Sequence, residues 1–264
     1  MKLGAMNAAG PIAEAQRNLS YIVALVLIFV GGPVLLLTPI IAWHYRRSNT
    51  QSAFRPKWNF AWPLEFLIWI PPTAIVVGLG LLLWESTHRL DPYRAIEPSR
   101  SPVIIQAVAL DWKWLFIYPD AHIATLNRMP IPAGRPIRIE LTSGTVMQSL
   151  FVPRLAGQVY TMAGMRTELN LAASRPGVYR GENTQYNGEG FARQKFDVVA
   201  LPPEDYQRWA RRMQAQARPF DAAAYDRLFE RSTFPGSITY SAVPKGLFER
   251  ILRRSRMPAG EMRK

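Results

Sequence analysis

The sequence lacks cysteine altogether and has only three histidines, His44, His88 and His122, among its 264 residues. Without a thiol the chain has no disulfide, no thiolate metal site, no iron–sulfur cluster, no cysteine nucleophile and no lipid attached to a cysteine. No two histidines have a metal-ligand spacing such as i, i+4 on one helix, which argues against a histidine-rich metal site. These absences remove the commonest metal and nucleophile chemistries.

Charge is missing from two long stretches, residues 19–45 and residues 66–84. A helix needs about 20 apolar residues to cross a hydrocarbon layer of about 30 Å, so both stretches are predicted to be transmembrane helices. Pro33 in the first stretch and Pro71 in the second are tolerated where neighbouring helices satisfy the freed backbone groups, which indicates packing against other helices. Buried helices of a soluble enzyme are the weaker interpretation, because uncharged runs of this length are rare there.

The connector between the two stretches is basic, with Arg46, Arg47, Arg55 and Lys57 and no acidic residue. The positive-inside rule places such a connector in the cytoplasm, and both termini are then predicted to lie on the outer side. Residues 1–18 are predicted to be a polar segment without a cleavable signal peptide. The first span is expected to serve as its own targeting signal.

After about residue 86 the pattern changes to short segments rich in Val, Ile, Thr and aromatic residues, separated by Pro and Gly. Seven segments predict a β-sandwich or barrel over residues 95–201, and they are 102–110, 112–119, 135–144, 145–153, 167–174, 177–181 and 195–201. Apolar and polar residues alternate over 137–142. This alternation predicts an antiparallel sheet with one buried face and one face in water, the latter including Thr142.

Residues 202–264 are predicted to form a helical extension. Tyr206, Trp209 and Met213 fall on one stripe of a first helix, and Asp221 is predicted to be the N-cap of a second. A third short helix begins near Gly246. Its apolar face contains Leu247, Phe248, Ile251 and Leu252. Its basic face, expected to be simply solvated, contains Arg250, Arg253 and Arg254.

The predicted fold class is therefore membrane α plus all-β, with a two-helix transmembrane hairpin at 19–85, the sandwich and the helical extension. The formal charge of +13 alone would suggest nucleic acid as a partner. Four of the basic residues lie in the connector, and the others are scattered without an aromatic stacking platform. The lipid bilayer, and not nucleic acid, is the expected partner.

Seven blocks of the sequence resemble subunit II of the haem–copper respiratory oxidases, and in detail the quinol-oxidising, cytochrome bo-type branch. The blocks are 62–65 and 69–71 at the second span, 86–92 (STHRLDP), 111–119 (DWKWLFIYP), 146–153 (VMQSLFVP), 158–165 (QVYTMAGM) and 177–191 (GVYRGENTQYNGEGF). The tail YSAVPKGLFERIL resembles the helical extension of that branch. The resemblance implies a cupredoxin-like sandwich on the periplasmic side of a bacterial inner membrane.

In the cytochrome c-oxidising branch this sandwich holds a dinuclear copper centre. The resemblance assigns its ligand positions, none of which keeps the ligand in this chain, to Gln148, Asn183, Gln185, Asn187, Phe191 and Gln194. Copper of this kind needs bridging thiolates, and amides or a phenyl ring cannot replace them. The resemblance implies that the chain binds no metal and that the haems and copper lie in subunit I. Asn183, Asn187 and Gly188 are expected to be ordinary turn formers.

Glu65 is an ionisable residue at the cytoplasmic end of the second span. Such a residue is costly unless it meets water or a partner, and the resemblance associates a Glu at this place with the entrance of a proton-uptake channel into subunit I. A carboxylate stabilised by the positive end of the helix dipole explains the same residue equally well. Both interpretations stay open.

Aromatic and thioether side chains near the copper-ligand positions are expected to pack, not to react. Trp112 and Trp114 belong to a block that lies between copper and haem in copper-bearing relatives, and without copper we expect them in the core or at a subunit interface. Met147, Met162 and Met165 have no His or Cys beside them. They are expected at the subunit contact.

These features leave three candidate functions for the chain. The first is a structurally required subunit, without a catalytic centre, of a proton-pumping ubiquinol oxidase, in contact with subunit I and further membrane subunits and with ubiquinol only through the complex. The second is a cytochrome c oxidase subunit with an intact copper centre, which the ligand positions contradict. The third is a stand-alone, membrane-anchored assembly or binding module with the same fold.

Overall fold

A computed structural model of the chain describes residues 4–51, 53, 57–97, 99–234 and 236–255. The chain divides into two compact units, Asn18–Asp91 and the described parts of Met1–Arg17 with Pro92–Lys264. The first unit contains most of helix α1 (Pro11–His44) and all of helix α2 (Trp62–Arg89). The second unit contains the β-sandwich and the helices that follow it.

Helices α1 and α2 have 34 and 28 residues, and both are long and apolar enough to cross a membrane. Their large apolar side chains are exposed in the isolated chain, as Leu35 is at 77% and Trp84 at 70%. A helix that is apolar on all sides and not covered by protein is suited to lipid or to neighbouring spans. The predicted pair of spans is confirmed.

The helix of the first span begins earlier than the sequence predicts. Residues 1–18 are predicted to be a polar segment, but α1 already starts at Pro11, and Ala8, Ala9 and Ala13 are buried in the sandwich unit. A Cβ atom on Gly10 would lie 2.2 Å from the Ala172 carbonyl oxygen, so only glycine fits this approach. Small apolar residues at this end allow the backbone to contact the sandwich closely.

Twelve strands are described in the β-rich unit. They are β1 (Val103–Leu110), β2 (Lys113–Tyr118), β3 (Ile123–Leu126), β4 (Arg128–Pro132), β5 (Ile137–Ser143), β6 (Gln148–Phe151), β7 (Gln158–Thr161), β8 (Thr167–Leu171), β9 (Gly177–Asn183), β10 (Lys195–Leu201), β11 (Arg218–Pro219) and β12 (Thr239–Ser241). One sheet has the order β11-β12-β3-β2-β1-β5-β8, and the other has the order β4-β10-β9-β6-β7. The predicted sandwich is confirmed.

Two details of the predicted sheet are wrong. All seven predicted segments contain a strand, but β5 pairs in parallel with β1 and β4 in parallel with β10, so the sheets are mixed and not antiparallel. Thr142 is fully buried, because the chain at its end of β5 is covered by the β7–β8 connection, and its hydroxyl donates to the Met162 carbonyl at 3.4 Å. The sequence pattern also misses β3, β4, β7, β11 and β12.

The seven-stranded sheet is covered on both faces. Its inner face packs against the five-stranded sheet through large side chains such as Trp114, Phe116 and Ile139. Its outer face packs against the C-terminal extension through a second cluster that includes Leu115 and Ile117. This two-sided burial explains why every residue of β2 is buried.

The extension contains helices α3 (Pro203–Gln216), α4 (Ala222–Phe229) and α5 (Leu247–Arg254). The predicted N-cap of α4 is confirmed, because the Asp221 carboxylate accepts from the Ala224 N–H at 2.6 Å. The apolar face predicted for α5 is buried. The expectation of a solvated basic face is wrong for Arg254, whose guanidinium lies 3.7 Å from the centroid of the Phe229 ring, a cation–π contact.

Candidate functional site

The six positions that the resemblance assigns to copper ligands lie together at one end of the sandwich. Gln148 begins β6, Asn183 ends β9, and Gln194 immediately precedes β10. Antiparallel pairing of β9 with both β6 and β10 brings these three residues side by side. The β9–β10 connection supplies the other three positions, Gln185, Asn187 and Phe191.

Gln194 is the centre of a hydrogen-bonded group of four amide side chains. Its side chain is 1% exposed, and its Nε2 donates to the Leu110 carbonyl at 3.2 Å and to Gln148 Oε1. Its Oε1 accepts from Asn183 Nδ2 at 3.0 Å and from Asn187 Nδ2 at 2.7 Å. We call Gln148, Asn183, Asn187 and Gln194 the amide cluster.

Asn183 connects the amide cluster to the backbone of both neighbouring elements. Its Oδ1 accepts from the N–H groups of Ser149 and Gln185, each at 3.0 Å, and its Nδ2 donates to the Gln185 carbonyl at 2.8 Å as well as to Gln194. With 4% exposure at the end of a strand, Asn183 is not the ordinary turn former that the sequence suggests. Gly188, with a φ of 108°, does have a turn conformation.

The donors at this site do not fit a dinuclear copper centre. Phe191 has no donor atom, and its ring contacts that of Tyr186 at a centroid distance of 5.6 Å. Apart from Asn187 Oδ1, which is buried without a partner among the described residues, the amide cluster bonds to itself, to the backbone and to Thr145 Oγ1. Amides are poor ligands where soft thiolates are required. Among the residues that the structure describes, no group of three or more His, Asp or Glu side chains could hold a metal. The chemistry of the donor set, and not the lack of an ion, excludes copper here.

Trp112 covers the amide cluster from outside. Its Nε1 donates to the Asn187 carbonyl at 3.2 Å, and its ring lies so close to Gly190 that a Cβ there would be 2.2 Å from Trp112 Cδ2. Its φ of 63° is unusual for a bulky residue, and such strain persists only where surrounding contacts enforce it. The structure places Trp112 at the half-exposed surface of the site.

Trp114 lies elsewhere, in the sandwich core. Its side chain is fully buried, and its ring centroid is 6.3 Å from that of Phe116 and 5.6 Å from that of Phe196. Its indole N–H has no hydrogen-bond partner among the described residues. Of the two tryptophans, only Trp112 is near the surface.

Lys113, between the two tryptophans, joins the sandwich to the extension. It is 3% exposed, and its Nζ donates to the carbonyls of Arg227 (3.2 Å) and Glu230 (2.7 Å) and to Ser232 Oγ (2.8 Å). Burial lowers the pKa of its ammonium group, and the negative charges of Glu230 and Asp111 oppose this shift. This role of Lys113 is not predicted from the sequence, although a lysine inside an apolar aromatic block is a recognisable signal.

Exposed apolar side chains flank the amide cluster. We define the loop patch as Val146, Met147, Tyr160, Met165 and Tyr186, with exposed fractions from 43% to 72%. Met147 precedes Gln148, Tyr186 precedes Asn187, and Tyr160 is opposite Ser149 in the β6–β7 pairing, so these three residues lie at the same end of the sandwich as the cluster. Met162 is less exposed than Met147 and Met165, and its carbonyl accepts from the Met165 N–H at 3.2 Å. Several large exposed apolar side chains near one end of a domain are typical of protein contacts.

Glu65 belongs to the other unit, in the first turn of α2. Its carboxylate accepts from the indole Nε1 of Trp69, one turn further on, at 3.0 Å. The first-turn position also places the carboxylate at the positive end of the helix dipole. The geometry is compatible with both interpretations of this residue.

The sequence of the chain is similar to those of several known proteins. No protein-family model matches the chain. It is 39% identical over 246 residues to cytochrome bo(3) ubiquinol oxidase subunit 2 of Pseudomonas aeruginosa, which covers 93% of this chain and 74% of that protein. It is 37% identical to ubiquinol oxidase subunit 2 of Acetobacter aceti, over 95% of this chain and 82% of that protein.

A more distant relative is quinol oxidase subunit 2 of Bacillus subtilis, 33% identical over 84% of this chain and 70% of that protein. Among solved structures, the periplasmic domain of subunit II of the cytochrome oxidase of Bradyrhizobium japonicum is similar over 49% of this chain and 97% of that domain. Its sequence identity is 16% and its TM-score is 0.41.

The chain combines two apolar helices long enough to cross a membrane with a β-sandwich and a short helical extension, and its relatives are oxidase subunits 2. Together these define a membrane-anchored protein of the oxidase subunit 2 class. Within that class this chain matches quinol oxidase subunits 2, and each match covers most of the relative's length. The chain belongs to the quinol oxidase subunit 2 family.

Proposed function

We propose that this chain is subunit II of a proton-pumping terminal quinol oxidase and has a structural role without a redox metal of its own. The observation that carries the proposal is the amide cluster, which occupies the copper-ligand positions in a chain of the quinol oxidase subunit 2 family. Ubiquinol is the substrate named for several relatives. The complex would oxidise two quinols to quinones for each oxygen molecule reduced to two waters.

Electrons in this complex bypass the sandwich. Electron transfer through a protein domain needs a centre that can be oxidised and reduced, and neutral amides bonded to one another offer none. The haems and copper are therefore assigned to subunit I. The contribution of this chain is to hold subunit I from the membrane and to cover its outer face with the sandwich.

The decisive experiment is purification of the complex, followed by a visible absorption spectrum, oxygen-uptake assays and metal analysis. We expect haem absorption, oxygen uptake with ubiquinol but not with reduced cytochrome c, and no copper on this chain after it is separated from subunit I. Copper bound stoichiometrically to this chain, or oxygen uptake with cytochrome c alone, would refute the proposal. The same assay with menaquinol identifies the preferred quinol.

We assign the contact with subunit I to the loop patch and Trp112. Exposed methionine and aromatic side chains around a rigid cluster have the composition of interface cores, which are poor in charged residues and rich in Tyr, Trp and Met. The amide cluster would keep these loops in one conformation, which lowers the entropy lost on binding. Met147→Glu should then lower the yield of assembled complex, whereas Ala222→Glu, at an exposed position at the start of α4 outside the patch, should not.

We assign Glu65 to proton entry from the cytoplasm. The Glu65 carboxylate is half-exposed in the first turn of a span and accepts from one indole donor, an arrangement that supports exchange of a proton with the cytoplasm. The basic connector is placed in the cytoplasm and the sandwich in the periplasm of a bacterial inner membrane. This orientation puts Glu65 on the side from which a pump takes protons.

A stand-alone membrane-anchored assembly module is the second candidate, because the fold alone does not require a partner. Co-purification distinguishes the two functions. A stable complex with a many-span haem protein excludes the stand-alone module. If the chain purifies alone from membranes while the full oxidase activity is recovered in other fractions, the function as an oxidase subunit is excluded.

A further inference from the structure

A groove of about 690 Å³ lies on the outer face of the five-stranded sheet, and its lining contains no residue of the loop patch. Strands β4, β10 and β9 form its floor, and Phe234 contributes to its opposite wall. The exposed Val178 gives the groove an apolar portion. Its volume is within the range of ligand-binding clefts, about 300–1,000 Å³.

Positive charge dominates the lining of this groove. Four cationic side chains face it, Arg128, Arg180, Arg193 and Lys195, against the single carboxylate of Asp197. They come from three separate parts of the chain. The pairing of β10 with β4 and with β9 places Arg128, Asp197 and Arg180 in one row across the three strands.

Three of the four cations have no carboxylate partner within the described residues. Arg180 Nη1 lies 3.1 Å from Asp197 Oδ1, which uses the only acidic group of the lining. Glu182 is opposite Lys195 in the β9–β10 register, but these two side chains form no ion pair. Like charges held on one face repel each other, and an anionic ligand would relieve that repulsion.

The arrangement of the charges favours an extended anion over a compact one. Adjacent strands are about 4.8 Å apart, so Arg128 and Arg180 are separated by two strand spacings, about 10 Å. The Asp197 carboxylate lies between them and would repel a single phosphate placed at the centre. Several carboxylates along an extended peptide can contact the outer cations and avoid Asp197.

We propose that this groove binds an acidic, extended segment of a partner protein, whose carboxylates pair with Arg128, Arg193 and Lys195. The segment would lie across β4, β10 and β9 with apolar side chains against Val178 and Phe234. This site is separate from the loop patch and does not depend on the identity of the quinol.

The test uses the full-length chain in a neutral detergent and a fluorescein-labelled octapeptide of alternating Glu and Ser. Fluorescence anisotropy at low salt measures its binding to the wild-type chain, to the double variant Arg193→Gln with Lys195→Gln, and to a control double variant, Arg211→Gln with Arg250→Gln. The control removes the same charge from exposed residues on α3 and α5. We expect binding about tenfold weaker in the groove variant and changed by less than about twofold in the control, since specific cation–carboxylate contacts outweigh general charge.

The proposal fails if both double variants weaken binding equally, which would indicate only general attraction to a basic protein. It also fails if inorganic phosphate displaces the peptide as well as unlabelled peptide does, or if the groove variant loses binding to phosphatidylglycerol vesicles, which would make the ligand a compact anion or a lipid surface. In the purified complex, carbodiimide coupling should join Lys195 to an Asp or Glu of another chain. Coupling of Lys195 only to Glu182 of its own chain would overturn the assignment.

Discussion

The amide cluster and the first turn of α2 show opposite uses of polar side chains. In the cluster, three buried amides and the half-buried Asn187 hydrogen-bond to one another and to the backbone. Glu65 in α2 has an ionisable group and accepts one hydrogen bond, from Trp69. The amide cluster therefore stabilises the fold but contains no redox or acid–base group. Glu65 has an ionisable group but makes few stabilising contacts.

The two regions should also respond differently to mutation. A buried polar group that loses its partner costs about 1–3 kcal/mol, so changes in the amide cluster should be seen in stability. A carboxylate in the first turn of a helix contributes less than about 1 kcal/mol, so a change there should be seen in turnover if Glu65 carries protons.

The largest effect is expected for Gln194→Leu. The substitution leaves Nδ2 of the half-buried Asn187 and Oε1 of the buried Gln148 without the partner that Gln194 supplies. The loss should lower the free energy of unfolding by about 3 kcal/mol. Chemical denaturation of the full-length chain in detergent, followed by near-UV circular dichroism, measures this loss. The turnover of correctly assembled complex should stay unchanged.

Gln158→Leu is the matched control, since Gln158 is an exposed glutamine on β7. Its unfolding free energy should remain within about 0.5 kcal/mol of the wild type. Equal losses in the two variants would show that the amide cluster is not a special stabilising element. The structural role assigned to the cluster would then be wrong.

The second effect is expected in turnover. Glu65→Ala should slow quinol oxidation on the order of tenfold, which equals about 1.4 kcal/mol in the barrier, because proton delivery to the oxygen-reducing site would be limited. Haem content and yield of the complex should stay at the wild-type level. Glu85→Ala, at the other end of the same helix, is the control and should turn over normally. Unchanged turnover in Glu65→Ala would leave only stabilisation by the helix dipole.

A smaller effect is expected at Trp112, which contacts the amide cluster. Trp112→Phe removes the indole N–H that donates to the Asn187 carbonyl and should lower the unfolding free energy by about 1 kcal/mol. Thermal unfolding of the full-length chain measures the change. Trp114→Phe offers a contrast, because the buried indole N–H of Trp114 has no partner among the described residues and its loss removes no hydrogen bond. After correction for side-chain volume, a smaller loss of unfolding free energy in Trp112→Phe than in Trp114→Phe would contradict a stabilising hydrogen bond from Trp112 to Asn187.

The parts of the structure that depend on local pattern could be predicted from the sequence. The two spans follow from uncharged runs, because lipid requires apolar residues along the entire crossing segment. The N-cap at Asp221 and the apolar face of α5 follow from spacing within a few residues. The six copper-ligand positions could be assembled only because a resemblance to a known family aligned them.

The remaining features depend on residues far apart in the sequence. The parallel pairing of β1 with β5 joins residues about 34 apart, and no local pattern specifies it. Asn183 has the composition of a turn former, and only its contacts with Ser149 and Gln194 give it a structural role. The basic groove likewise combines Arg128 with Lys195 through the β4–β10 pairing, which neither segment indicates alone.

The smallest expected effect concerns metal. Because the amides of the cluster are bonded to one another and Phe191 has no donor atom, copper has no ligand set to displace, and neither a chelator nor added copper(II) should change the thermal midpoint of the chain. Scans with ethylenediaminetetraacetate, with copper(II) and with neither measure this. A ligand that binds only the folded state raises the thermal midpoint. A copper-dependent rise that disappears in Gln194→Leu would therefore locate a metal in the cluster, and the conclusion that the cluster is purely structural would be wrong. A rise that persists in that variant would place the metal elsewhere.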